Sequence, residues 1–181
     1  DQTIKEFRRF LKLEKGLAGN SVQAYIDDIH KLTQYLSVSG EDIPPEQVTG
    51  QVLHNFLSWI TELGLSARTQ SRIISGIKSF FKFLLLEERI SQDPTLMLES
   101  PRIGRKLPEV LSIEEIDLLF GIIDLSKPEG QRNKAMLEVL YSCGLRVSEL
   151  ISLKISDLFP DQGFLRVLGK GNKERLVPVS S

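Results

Sequence analysis

Four successive segments carry apolar residues at helical spacing, and they commit the first half of this 181-residue chain to a helical bundle. Ile4, Phe7, Phe10 and Leu11 form one stripe, and Val22, Tyr25, Ile26, Ile29, Leu32 and Leu36 form a second after the turn from Gly16 to Asn20. Pro44-Pro45 opens a third segment, in which Val52, Leu53, Phe56, Leu57, Ile60 and Leu63 repeat the pattern until Gly64 ends it. A fourth begins near Ser66 and carries Ile73, Ile74, Ile77, Phe80, Phe81, Leu84 and Leu85. Residues three and four apart share a helix face, and an apolar face must be buried. Four such faces closing on one core predict a four-helix domain over residues 1–98.

The periodicity then lapses. Asp93-Pro94, Ser100-Pro101 and Leu107-Pro108 bracket the basic stretch Gly104-Arg105-Lys106, a composition that marks a linker over residues 99–110. Beyond it, Ser112 and Glu115 have the Ser-x-x-Glu spacing of a capping box, predicting a helix that carries Ile116, Leu119 and Phe120. A second helix from about Glu129 to Ser142 is expected to bury Ala135, Met136, Val139 and Leu140, ending at Gly144, whose left-handed conformation costs no Cβ penalty. Phe164 to Leu168 and Arg175 to Val179 are β-prone runs on either side of Gly169-Lys170-Gly171-Asn172-Lys173, which reads as a hairpin turn. The fold class expected is mainly α: a helical N-terminal domain, then an α+β portion over residues 111–181 with a hairpin or small sheet.

A net charge of −1 excludes a uniformly basic nucleic-acid binder, so any phosphate contact must come from local patches. Such patches exist. Ser66 to Lys82 holds Arg68, Arg72, Lys78 and Lys82 without an acid; Ser100 to Lys106 adds Arg102, Arg105 and Lys106; Arg166 to Arg175 holds Arg166, Lys170, Lys173 and Arg175 against Glu174. No apolar run reaches the roughly 20 residues needed to span a bilayer, and the start of the chain lacks the regions of a signal peptide. The single cysteine, Cys143, cannot form an internal disulfide. A cytoplasmic setting without membrane association is the expectation. No acidic or Cys/His cluster with metal-ligand spacing is visible, and no cofactor or metal is expected.

Taken singly, Gly144 is punctuation and the glycine-rich turn is a hairpin; it is no P-loop, because the required spacing and a following helix are missing. Together, Gly144-Leu145-Arg146-Val147-Ser148-Glu149-Leu150 and Gly169-Lys170-Gly171-Asn172-Lys173-Glu174-Arg175 offer an arginine and a lysine to one phosphodiester. With Ser21-x-x-x-Tyr25-x-x-Asp28, Leu107-Pro108 and Leu111-Ser112, they make the whole chain resemble the tyrosine recombinases, and within them the Xer-type enzymes.

The resemblance implies a SAM-like core-binding domain and the first part of a catalytic domain, which clamp DNA from opposite faces with the linker crossing a groove. It implies Arg146 and Lys170 as catalytic residues, the arginine neutralising phosphate oxygens and the lysine protonating the leaving 5′ oxygen, with Glu149 supporting Arg146 or forming an ordinary ion pair with it. Lys173 competes with Lys170, but its later place in the turn favours phosphate contact. Asn20, Ser21, Arg68, Thr69, Arg72, Lys78, Arg105, Lys106, Lys173 and Arg175 are the candidate DNA contacts. For Asn20 and Ser21, and for Ser66 ahead of the fourth segment, helix capping is the equal alternative.

The partners implied are a double-stranded recombination site and other recombinase protomers, as a tetramer on two sites that could include a paralogous partner, together with an FtsK-like DNA translocase. The activity implied is site-specific cutting and rejoining through a 3′-phosphotyrosyl link, as in chromosome dimer resolution. An integrase of a mobile element and a non-catalytic architectural module remain alternatives. The family's later His-x-x-Arg pair, further His or Trp and nucleophilic tyrosine have no match: His30 and His54 fall in the helical domain, and Tyr25, Tyr35 and Tyr141 precede the hairpin. A fragment that binds DNA without cleaving it is expected.

Overall fold

The computed structural model describes residues 2–41, 43–104, 107–169, 171 and 173–179. Two compact units divide the chain, Asp1–Lys106 and Leu107–Ser181.

In the first unit, α1 (Gln2–Leu13), α2 (Gly19–Ser39), α3 (Gly50–Glu62) and α4 (Ala67–Leu86) enclose one core. Every helix contributes from its apolar stripe, and Phe7, Ile26, Phe56, Ile60, Ile77 and Phe80 are fully buried. Aromatic packing joins α1 to α4: the Phe7 and Phe80 rings meet edge to face at 5.1 Å and 75°, the geometry the ring quadrupoles favour. Leu98, beyond α4, also packs into this core.

The helix ends follow side-chain chemistry with two departures from expectation. Ser66 caps α4, its Oγ accepting the Thr69 N–H at 3.3 Å. Pro44-Pro45 does not open α3; Pro45–Gln47 forms a 3-10 turn, and Thr49 caps the helix by accepting from Val52 N. Asn20 and Ser21 do not cap α2 either. Ala18 occupies the N-cap without a side-chain bond, and Asn20 and Ser21 lie within the first helical turn. A capping residue must sit in extended backbone just before the helix, a place the glycine-containing turn gives to Ala18.

An ion pair on a buried carboxylate joins α2 to α4. Asp28 on α2 is only 2 % exposed, and Arg72 on α4 bridges it, with Nη1 at 2.8 Å from Oδ1 and 2.9 Å from Oδ2. The N–H aims at Oδ2 alone, so Oδ1 remains buried without a hydrogen bond. Burial pushes the Asp28 carboxyl above its ordinary range, opposed by the Arg72 charge. Gly76 makes this contact possible, since a Cβ there would lie 2.6 Å from Asp28 Oδ2 and 2.9 Å from Asp28 Cβ.

The second unit contains α5 (Ile113–Gly121), α6 (Pro128–Cys143), α7 (Val147–Ile151) and three antiparallel strands, β1 (Leu158–Phe159), β2 (Phe164–Leu168) and β3 (Glu174–Pro178), in the order β1-β2-β3. The β2–β3 pair runs from Phe164 opposite Pro178 to Leu168 opposite Glu174. The Ser112–Glu115 capping box is present in both directions. A small core gathers Cys143, Leu145, Leu165 and Val167, with Val139, Leu140, Leu150, Leu153 and Val177 against it. Because that core lies at the α6–α7 junction and the sheet, the stripes on α5 and early α6 are less covered than expected: Leu119 and Ala135 are exposed, while Ile116, Phe120, Met136, Val139 and Leu140 are half-buried. Tyr141 on α6 is likewise exposed.

Candidate functional site

Gly144 turns the chain out of α6 with φ +58°, and Leu145 drops into the small core. Arg146 therefore falls at the N-cap of α7 in extended backbone, with its side chain 71 % exposed. A five-residue helix cannot fix such a side chain by itself. Glu149, one turn on and 5 % exposed, does so: its Oε2 accepts the Arg146 backbone N–H at 2.8 Å and its Oε1 accepts Arg146 Nη1 at 3.0 Å.

The same carboxylate holds a second arginine, a partnership the sequence reading missed. Arg175 on β3 donates Nη1 to Oε1 at 2.7 Å and Nη2 to Oε2 at 2.9 Å. These bonds to Arg175, together with those from the Arg146 backbone and side chain, hold the Glu149 carboxyl down at about 2. Among the groups that lower it, Arg175 contributes most. Nothing in the spacing of Glu149 and Arg175 announces the contact, because it depends on β-strand register and on where α7 meets the sheet.

Gly169 brings the neck of the hairpin against this pair. Its N–H donates to Lys173 O at 2.8 Å, and a Cβ at Gly169 would lie 3.2 Å from Arg175 Nη1 and 3.6 Å from Glu149 Oε1. Gly171, at φ +73°, takes the left-handed turn position that glycine accepts without strain. Lys170 lies outside the described residues, as do Arg105 and Lys106 in the linker stretch. Lys173 is exposed. Arg166, counted with the same basic patch, pairs instead with Asp157 through Nε at 3.1 Å and Nη2 at 2.7 Å, which lowers the Asp157 carboxyl below its usual range.

Comparison with known proteins places both units. The model for the phage integrase N-terminal SAM-like domain matches residues 4–88, and the phage integrase family model matches residues 109–181. The chain belongs to the phage integrase family of tyrosine recombinases. It is 38 % identical over 176 residues to a tyrosine recombinase XerD of Listeria monocytogenes, covering 97 % of this chain and 59 % of the relative. It is 42 % identical over 179 residues to the XerD of Oceanobacillus iheyensis, covering 99 % of this chain and 60 % of that protein. The chain thus spans about three-fifths of the length of these relatives.

In fold it is similar to a lambda integrase in a tetramer bound to a Holliday junction, with TM-score 0.78 at 18 % identity over 99 % of this chain and 50 % of that one. It is also similar to XerH recombinase bound to a palindromic difH substrate, with TM-score 0.68 at 21 % identity over 98 % of this chain and 53 % of that one.

The first unit of this family member offers a separate set of candidate contacts near the start of α4. Arg68 is exposed; Thr69 is half-buried, with its hydroxyl 3.0 Å from that of Ser66. Arg72 presents a side chain 47 % exposed while one nitrogen is engaged by Asp28 and the Ala24 carbonyl. Lys78 donates Nζ to Leu98 O at 2.7 Å, which secures the segment after α4. Asn20 is exposed and Ser21 half-buried in the first turn of α2. Among the described residues, no helix is long and apolar enough to cross a membrane, and no three His, Cys, Asp or Glu side chains are grouped to hold a metal.

Proposed function

We propose that this chain is the DNA-clamping portion of a Xer-type site-specific recombinase, which in its full length cuts and rejoins DNA through a 3′-phosphotyrosyl intermediate. One observation carries the reading: Arg146 is fixed at the head of α7 by Glu149 through its backbone and one guanidinium nitrogen, while most of its side chain stays exposed. A guanidinium remains charged and matches two oxygens of a phosphate. Anchored before the reaction begins, it stabilises the charge that grows on the non-bridging oxygens at no cost of reorganisation.

Lys170 is the proposed general acid, donating a proton to the departing 5′ oxygen. The tyrosyl ester retains the energy of the broken phosphodiester, so the cycle requires neither ATP nor a metal. Arg68, Thr69, Arg72, Asn20, Ser21 and Lys78 from the first unit, Arg105 and Lys106 from the linker, and Lys173 from the hairpin are proposed to meet DNA. The partners proposed are a duplex recombination site, further recombinase protomers as a tetramer on two sites, and an FtsK-like translocase, in chromosome dimer resolution in the cytoplasm. The tyrosines within these residues lie on α2 and α6, ahead of both motifs, so this chain is proposed to bind DNA without forming a covalent adduct.

Covalent trapping on nicked duplexes carrying candidate sites tests the reading. The full-length protein should form an adduct, and Arg146→Ala should slow its formation by about 100- to 1,000-fold, as loss of a preorganised charge stabiliser does elsewhere. Lys170→Ala should slow it by about 100- to 10,000-fold. Binding without any adduct across varied sites refutes the recombinase reading.

A further inference from the structure

We propose that Arg175 is a positioning residue and not a phosphate ligand: through Glu149 it fastens the β2–β3 hairpin to the helix that presents Arg146. The inference rests on the recombinase reading for what the strut serves, and on geometry alone for its existence.

The two arginines share one carboxylate unequally. Arg175 grips it with both terminal nitrogens, Nη1 to Oε1 at 2.7 Å and Nη2 to Oε2 at 2.9 Å. Arg146 spends a single guanidinium nitrogen, Nη1 to Oε1 at 3.0 Å, besides its backbone N–H to Oε2 at 2.8 Å. An ionised carboxylate offers about four lone-pair sites, and these bonds fill them. A phosphate that recruited Arg175 would have to break a fork-to-fork pair on a carboxylate shielded from water, where such pairs are strongest. Recruiting Arg146 leaves its anchor intact, because its remaining N–H groups are the exposed ones.

The Arg175–Glu149 pair is also built into the backbone of the turn. The hairpin is shaped for this contact, since Gly169 passes so close that a Cβ there would sit 3.2 Å from Arg175 Nη1.

Three readouts separate a strut from a phosphate contact, using Arg175→Gln, Arg175→Lys and Lys173→Gln. First, binding of the 181-residue chain to non-specific duplex DNA is followed against salt; each phosphate contact contributes about 0.9 to the slope of log K on log salt. Lys173→Gln should lower the slope by about 0.9, whereas both Arg175 variants should keep the wild-type value. Second, amide hydrogen exchange at Gly169, whose N–H bonds Lys173 O, should quicken at least about tenfold in both Arg175 variants by the link between local opening and exchange, with Lys173→Gln unchanged. Arg175→Lys keeps the charge but cannot span both oxygens, so it should not rescue. Third, adduct formation by full-length Arg175→Lys should slow at unchanged DNA affinity.

A slope reduced by about 0.9 in Arg175→Gln overturns the proposal whatever exchange does. Unchanged exchange at Gly169 in both variants overturns it whatever the slope. A wild-type chain without salt-dependent DNA binding counts against the recombinase reading, and exchange then decides the strut by itself.

Discussion

Gly76→Ala should destabilise the first unit, although the same change in most helices is stabilising. Gly76 lies inside α4, where alanine is favoured over glycine by about 1 kcal/mol. The new Cβ would meet Asp28 Oδ2 at 2.6 Å, Asp28 Cβ at 2.9 Å and Asp28 Cγ at 3.1 Å. Rotating the carboxylate relieves the first contact only; the second is to an atom fixed on the α2 backbone, so the helices must part. Overpacking of this kind costs about 1–3 kcal/mol, and moving Asp28 also disturbs its bonds to Arg72, discounted to about 1 kcal/mol because that guanidinium is half exposed. The net expectation is a loss of about 1–3 kcal/mol. With Asp28→Gly in place the obstruction is gone, Cβ included, and Arg72 turns to solvent, so Gly76→Ala should then stabilise by about 1 kcal/mol.

Urea unfolding followed by fluorescence reads this unit alone, because the single tryptophan is Trp59, on α3 beside Tyr35 and Phe56. The double-mutant cycle isolates the Asp28–Gly76 coupling. A stabilising Gly76→Ala in the wild-type background, or equal effects in both backgrounds, would refute the reasoning.

Phe80→Ala should cost about 3–5 kcal/mol in the same urea assay, since it removes a fully buried ring that joins α1 to α4; a loss under 1 kcal/mol would mean that the two helices do not rely on that contact. Gly144→Ala should destabilise the second unit by about 1–2 kcal/mol, because a Cβ is disfavoured at φ +58° even with open space around it. Its effect should appear in hydrogen exchange of β2 and leave Trp59 fluorescence unfolding unchanged. Glu149 has a folded-state carboxyl near 2 against an ordinary 4.5. Its contribution is therefore complete above about 4.5 and fades as the pH falls toward 2. Protection of the Gly169 amide should weaken across that acid window, and Glu149→Gln should flatten the profile.

The helical half was legible because its information is local. Stripes such as Phe7-Phe10-Leu11 and Ile73-Ile77-Phe80-Phe81 need only the helical period to be read, and the Ser112–Glu115 capping box is complete within four positions. Legibility failed where a position depends on what comes from elsewhere. Asn20 and Ser21 have the composition of caps, yet the turn before α2 gives that place to Ala18. Leu119 and Ala135 have the spacing of core residues, yet the core of their unit lies at the far end of α6. At the site, the motif identified Arg146 and the likeness to recombinases supplied its role, but the Glu149–Arg175 bond needed the register of β3 and the entry angle of α7.

The basic patches show the same limit in electrostatic form. Sequence counts charges, whereas folding pairs them: Arg72 meets Asp28 from α2, Arg166 meets Asp157 nine positions back, and Arg175 meets Glu149 from α7. Each pairing joins two elements, so these arginines serve the architecture first, and their nominal charge overstates what remains for phosphate. The cations expected to dominate salt dependence are those that fold into the surface without an acid against them, with Arg68 and Lys173 exposed among the described residues. Arg146 belongs between the classes, anchored through one nitrogen and open through the rest. A residue that neutralises a developing charge needs both properties, since one held at every donor cannot reach the phosphate and one held at none must be ordered during the reaction.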